Sequence, residues 1–173
     1  MKAFKFLAKG AVGPISGFRW PAPGAWVEVD GALQLCSRGV HVCREFDLAH
    51  WLHDELWEAE IEGEVLEGID CLVARGARLV HRVEAWSEGG AARFARACIE
   101  HAAVLAGPAH SAAVAEFLQD AEYSANAGFT AGAAFCTAQA VARLNGSSPN
   151  LEEYRGERAW QSGWIAREVI SPR

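Results

Sequence analysis

Lysine is scarce in this 173-residue chain: Lys2, Lys5 and Lys9 are the only three, all at the amino end. With 16 Lys and Arg against 22 Asp and Glu, the formal net charge is -6. No basic cluster stands out against that acidic balance, so a nucleic-acid phosphate backbone is not the expected partner. Long apolar runs are missing too. None approaches the ~18 residues of a membrane span. Lys5 and Lys9 interrupt the opening MKAFKFLAKG, so no signal peptide is expected there. There is no G-x-G-x-x-G after a strand, no G-x-x-x-x-G-K-[ST], no G-x-S-x-G and no H-E-x-x-H. The common nucleotide-binding loops, the esterase elbow and the zinc-protease motif therefore have no support.

The five cysteines, Cys36, Cys43, Cys71, Cys98 and Cys136, are scattered, odd in number and without a C-x-x-C pair. Such a set reads as reduced thiols in a cytoplasm. The few lysines among many Ala, Arg and Gly residues suggest a GC-rich bacterial source. Apolar residues make up 51% and charged residues 22%, which excludes a disordered chain.

The pattern changes period near the middle. Up to residue 86 it is two. Ala3-Phe4-Lys5-Phe6-Leu7, Trp26-Val27-Glu28-Val29, Val40-His41-Val42 and Leu56-Trp57-Glu58-Ala59-Glu60-Ile61-Glu62 alternate, and residues 78–84 alternate less cleanly. Half-buried strands of a twisted, mostly antiparallel sheet are expected. Turn signals separate them at Gly13-Pro14, Pro21-Ala22-Pro23-Gly24, Asp30-Gly31, Glu67-Gly68 and Arg75-Gly76. One short helix is expected, capped by Asp47, with Leu48, Trp51, Leu52 and Leu56 on its buried face. Lys5 is placed on a polar face together with Arg78, Arg82 and Glu84.

From residue 87 the period is helical. Phe94, Cys98, Ile99, Ala102 and Leu105 form one stripe, and Val114, Phe117, Leu118, Ala121 and Ala125 a second. Residues 129–144 form a third helix rich in small residues, and residues 151–169 a fourth, after a loop at 145–150. The fold expected is α+β: a β-rich half over residues 1–86 packed on a layer of about four helices over 87–173. Seven Trp and eight Phe are expected to knit the halves into one cooperative body.

The densest cluster of chemical side chains is Cys36-Ser37-Arg38-Gly39-Val40-His41-Val42-Cys43. On a strand His41 and Cys43 share a face, ~7 Å apart, with Val40 and Val42 on the other. Three readings stay open. His41 is a general acid/base, since an imidazole titrates near neutrality. Or Cys36, His41 and Cys43 hold a metal ion with a fourth ligand. Or the cysteines pack as small hydrophobes and His41 fixes a turn. If the next strand lies beside His41, Glu60 is the central carboxylate to orient the imidazole. His50 and His53 lack the spacing for one ion and are expected to be exposed. A second candidate is the stiff loop Gly17-Phe18-Arg19-Trp20-Pro21-Ala22-Pro23-Gly24. Phe18 and Trp20 either stack a planar ligand whose acid group pairs with Arg19, or plug the core.

The run Cys36-Ser37-Arg38-Gly39-Val40-His41-Val42-Cys43, a helix, and then Leu56-Trp57-Glu58-Ala59-Glu60-Ile61-Glu62-Gly63 resembles a family of uncharacterised bacterial and phage proteins with a C-x-x-G-[FV]-H-x-C core. The resemblance covers the first half and implies no activity. More distantly, the Gly39-Val40-His41 strand followed by a helix and a strand is similar to ADP-ribosyltransferase-like folds. That likeness implies a fold but no NAD chemistry, because the first strand offers Lys5 where a His or Arg would bind nicotinamide. Glu157-Arg158-Ala159-Trp160-Gln161-Ser162-Gly163-Trp164 resembles the tail of some bacterial immunity-type helical proteins.

Two functions are expected on equal terms. One is a cytoplasmic, cofactor-independent acid/base enzyme, namely a cyclase, isomerase, lyase or hydrolase, acting on a small molecule. His41 and Glu60 would be catalytic, and Phe18, Arg19, Trp20 and Cys43 would bind substrate. The other is a protein-binding module of an immunity, antitoxin or phage-defence type. A metal-binding protein using Cys36, His41 and Cys43 is the third. No organic cofactor, nucleic acid or membrane is expected.

Overall fold

Alternation at the amino end produces strand β1, Lys2–Leu7, but both of its faces are covered. In the computed structural model, which describes residues 1–146 and 148–172, the chain divides into two units, Met1–Ser87 and Glu88–Arg173. The first contains β1, β2 (Val27–Glu28), β3 (Val40–Val42), a 3-10 helix (Glu45–His50), β4 (Glu55–Glu67) and β5 (Leu72–Arg82). All pairings are antiparallel. β1 lies against β4, and β4 makes a long hairpin with β5. The other edge of β5 takes β2 at Ala77 and Gly76, then β3 at Ala74, Val73 and Leu72. Beyond β3, Cys43 and Phe4 exchange two backbone hydrogen bonds of 2.8 Å. That bridge returns the sheet to β1, so β1, β4, β5 and β3 close into a ring.

Closure explains two departures from the expected pattern. β5 begins six residues before the expected strand at 78, because Leu72, Val73 and Ala74 are all buried and show no alternation. Arg75-Gly76 is not a turn but lies inside β5, where Gly76 faces Glu62 on one side and Glu28 on the other. The inner face is the apolar core, with Ala3, Leu7, Ala59, Ile61, Ala74 and Leu79 among its members. On the outer face of β1, Phe6 meets Trp86 edge-on at 5.2 Å.

The short helix is a 3-10 turn that starts three residues earlier than the expected Asp47 cap implies. Arg44 is its N-cap residue, and Asp47, three residues on, accepts from the Arg44 backbone at 3.3 Å. The Arg44 guanidinium bonds Asp47 at 2.6 Å and the carbonyls of Gly68 and Ile69 at 3.0 and 3.1 Å, tying the helix to the β4–β5 turn. Leu56 belongs to β4, and His53 falls beyond the helix end.

The second unit has α1 (Glu88–Ala106), α2 (Ala112–Asn126), α3 (Thr130–Val141) and α4 (Leu151–Ile165), which ends in a π turn, Ala166–Ile170. Ser111 caps α2 by accepting from Val114 N, and Asn150 caps α4 by accepting from Glu152 and Glu153 N. α3 touches the other three helices. Its small residues Ala133, Ala134 and Ala138 permit that approach. Phe129 is the N-cap residue of α3, and the helix ends at Val141 rather than 144. Leu105, expected in the α1 stripe, is exposed. In the 145–150 loop, Ser147 lies outside the described residues. Among the described residues no helix is long and apolar enough to cross a membrane. The fold is therefore α+β, an antiparallel sheet followed by four helices.

Candidate functional site

β1 is joined to the residue just past β3 by the Phe4–Cys43 bridge. Beside this bridge lies a cleft of about 40 Å³, lined by Lys5, His41 and Cys43 together with Phe4, Phe6, Val42 and Trp51. Lys5 shares its face with Ala3 and Leu7, which belong to the inner core. It is thus an inward cation rather than one of the polar-face charges expected. Its Nζ donates to the His41 carbonyl and stands 5.5 Å from the Trp20 ring centroid. Burial lowers the Lys5 pKa to about 8, against a smaller upward pull from Cys43. A lysine flanked by Phe4 and Phe6 on a strand with two apolar faces was the signal for this residue.

His41 takes its position from Gly39. The Gly39 backbone lies at φ 135°, which L side chains rarely adopt, and a Cβ there would stand 2.2 Å from Val73 Cγ1. Gly39→Ala should therefore destabilise the β unit by about 2 kcal/mol, read as a lowered urea midpoint. A midpoint equal to wild type would show the strand free to shift. The Gly39 carbonyl lies 3.2 Å from His41 Nδ1. A carbonyl only accepts, so Nδ1 carries the hydrogen and the neutral ring keeps its lone pair on Nε2. Among the described residues Nε2 is buried with no hydrogen-bond partner. Burial holds the His41 pKa below its ordinary value, the Gly39 contact opposes this, and the Lys5 charge lowers it further.

Glu60 is not brought to His41. β3 pairs with β5 instead of β4, and Glu60 accepts from Arg78 Nε at 2.8 Å and Nη2 at 2.6 Å. The orienting acceptor is the Gly39 carbonyl, and the His41 pKa moves down where a carboxylate partner would have moved it up. Cys43 is on the cleft side, as its alternation with Val42 requires. Its thiol donates to the Phe4 carbonyl at 3.4 Å, and burial pushes it up to about 12. It is thus a protonated wall rather than a nucleophile. Cys36 is exposed on a turn. Among the described residues no three His, Cys, Asp or Glu side chains are grouped to hold a metal ion.

The loop bearing Phe18, Arg19 and Trp20 splits its residues. Trp20 is 7% exposed and belongs to the core, while Arg19 and Phe18 face outward, Phe18 edge-on to Trp20 at 6.0 Å. Trp20 is anchored through its backbone N–H to the Ala11 carbonyl at 2.9 Å. Gly10 and Ala11, both at positive φ, in turn donate to the Glu55 carboxylate at 3.0 and 3.1 Å. Burial pushes the Glu55 pKa up, but these bonds, the Trp57 indole and Arg82 bring it below its ordinary value. Trp20 thus reaches the site as the wall under Lys5.

A second polar constellation lies in the helical unit and was missed in the sequence. His101 Nδ1 is 2.9 Å from the buried Glu157 carboxylate, and its ring stacks on Trp160 at 3.7 Å. Fifty-six residues separate His101 from Glu157, and no local spacing signals such a pair. Gln161 extends it by donating to Ala134 O at 2.9 Å and Thr137 Oγ1 at 3.0 Å.

Comparison of the chain with protein-family models, curated proteins and solved structures finds no match.

Proposed function

We propose that the protein is a cofactor-independent acid/base enzyme acting on a small molecule, with His41 as the base and the Lys5 ammonium as its electrostatic partner. The observation that carries this reading is the buried, unpartnered Nε2 of His41 in a cleft also lined by Lys5. An unsatisfied buried acceptor costs ~1–3 kcal/mol, and such groups are rare without a use. The tautomer leaves a lone pair available, and the lowered pKa keeps the ring unprotonated at neutral pH. Lys5 supplies positive charge beside the place where an oxyanion would form. The chemistry this favours is proton abstraction next to a carbonyl, as in isomerisation, elimination or cyclisation. Substrate pockets usually measure ~300–1,000 Å³. At about 40 Å³ the cleft admits one functional group while the rest of the substrate stays outside. Five free thiols fit the cytoplasmic setting that goes with this reading.

Deuterium incorporation beside the carbonyl of a panel of small aldehydes and ketones, followed by NMR in D2O, tests it. The wild type should accelerate exchange on at least one compound. His41→Gln should fold normally and slow it by ~10²-fold. Exchange at the buffer rate across the whole panel sinks the reading.

The second reading, a protein-binding module, is favoured by apolar side chains on the helical unit. Val104 is 80% and Tyr123 77% exposed. Exposed apolar surface of this kind marks contact sites when it is contiguous.

A further inference from the structure

We propose that Lys5 forms an imine with a small, neutral aldehyde in the β1–β3 cleft. The proposal rests on the acid/base reading of that cleft, from which it takes His41 as proton acceptor, and it names the substrate class. Lys5 is among the residues lining the cleft, and it is half-buried. Its hydrogen bond to the His41 carbonyl and the Trp20 ring beneath it fix the amine at the wall. Burial takes the amine to about 8, so about a tenth is unprotonated at pH 7. A lysine made nucleophilic by desolvation is the usual amine for carbonyl condensation.

The steps balance without a further reagent. The Nζ lone pair attacks the carbonyl carbon, and the π electrons move to oxygen. His41 Nε2 takes the first nitrogen proton and returns it to the oxygen, giving the carbinolamine. The nitrogen lone pair then forms the C=N bond as the hydroxyl leaves, and the second nitrogen proton, passed through His41 in the same way, completes the water. The lining restricts the partner. Among the described residues Lys5 is the one cationic residue lining the cleft, and the others include Phe4, Phe6, Val42 and Trp51. A substrate carboxylate would find no second positive charge there. An unbranched apolar aldehyde fits both the charge and the size.

The test is reductive trapping. The intact wild-type protein is treated at pH 7 with propanal and cyanoborohydride, then digested and mapped by mass spectrometry. Lys2 and Lys9, both exposed, serve as controls within the same chain. Lys5 should carry the propyl group in preference to either by ~10²-fold, the excess of free amine expected from its lowered pKa. Unfolding in urea should level the three. Glyoxylate should label Lys5 less than propanal does. Equal labelling of the three lysines in the folded protein overturns the proposal, and preferential labelling by glyoxylate overturns its neutral substrate class. Trapping and deuterium exchange fail separately. Exchange without Lys5 labelling leaves the acid/base reading standing and removes the imine, whereas labelling without exchange removes His41 as the base.

Discussion

Lys5→Met should make the β unit more stable at pH 7 by about 2 kcal/mol, because it replaces a buried charge with an apolar chain of similar length. The loss of the hydrogen bond to the His41 carbonyl is already set against that gain. The pH dependence identifies the cause. In the fold Lys5 releases its proton near 8, and in the unfolded chain near 10.5. Between these values the unfolded state binds more protons, so wild-type stability rises with pH. The full rise amounts to about 3 kcal/mol, at 1.36 kcal/mol per pKa unit. Cys43 acts in the opposite sense. Its thiol titrates near 9 when free and near 12 when folded, so its stabilisation is lost as pH climbs above 9. Wild-type stability should therefore rise from pH 8, level off between about 9 and 10.5 and fall above that, and the methionine advantage should shrink from pH 8 upward. Hydrogen exchange at the β5 amides reads the stability of this unit directly. An advantage that stays constant from pH 7 to 10 would mean that Lys5 is hydrated in the fold.

The same residue shows what alternation can and cannot disclose. Period two put Val40 and Val42 on one face of β3 and His41 on the other, and the structure makes the valine face part of the core. It misplaced Lys5, since the rule assumes that a charged residue marks the solvent face, whereas β1 is covered on both sides. Alternation also names a face without naming a neighbour. Glu60 sits at the expected place in its strand, but β5 lies between β4 and β3, so the distance to His41 depended on a pairing no local pattern encodes. The Phe4–Cys43 bridge is likewise non-local, and with it the cleft. Helix caps are local, and Asn150 and Ser111 act within three residues of themselves, but Asp47, expected as a cap, is instead the third residue of its helix. The loop residue Trp20 had two open readings, and its burial beneath Lys5 joins them: a core plug that is also a wall of the site.

In the helical unit the largest single loss is expected from Glu157→Ala, at about 4 kcal/mol. Glu157 is 3% exposed and joins three elements of one network. Its Oε2 faces His101 Nδ1 at 2.9 Å, its Oε1 accepts from Gln161 Nε2 at 3.3 Å, and its charge acts on the buried Arg158. Truncation removes the acceptor from both nitrogen donors and the balancing charge from the guanidinium at once. Burial raises the carboxyl pKa above its ordinary value, and His101, Gln161 and Arg158 oppose the rise. The folded state therefore holds a proton more tightly than the unfolded chain. The stability this contributes is complete below about 4.5 and declines as pH rises through the folded pKa. Glu157→Gln keeps the shape and one acceptor while removing the titration. It should cost about half as much as the alanine change and flatten the slope above pH 4.5, with both effects measured by urea unfolding of the full chain. A loss below about 1 kcal/mol for Glu157→Ala would place the His101–Glu157 pair outside the packing of the helices. A loss near 4 kcal/mol with an unchanged pH slope would assign the cost to the cavity rather than to the charge.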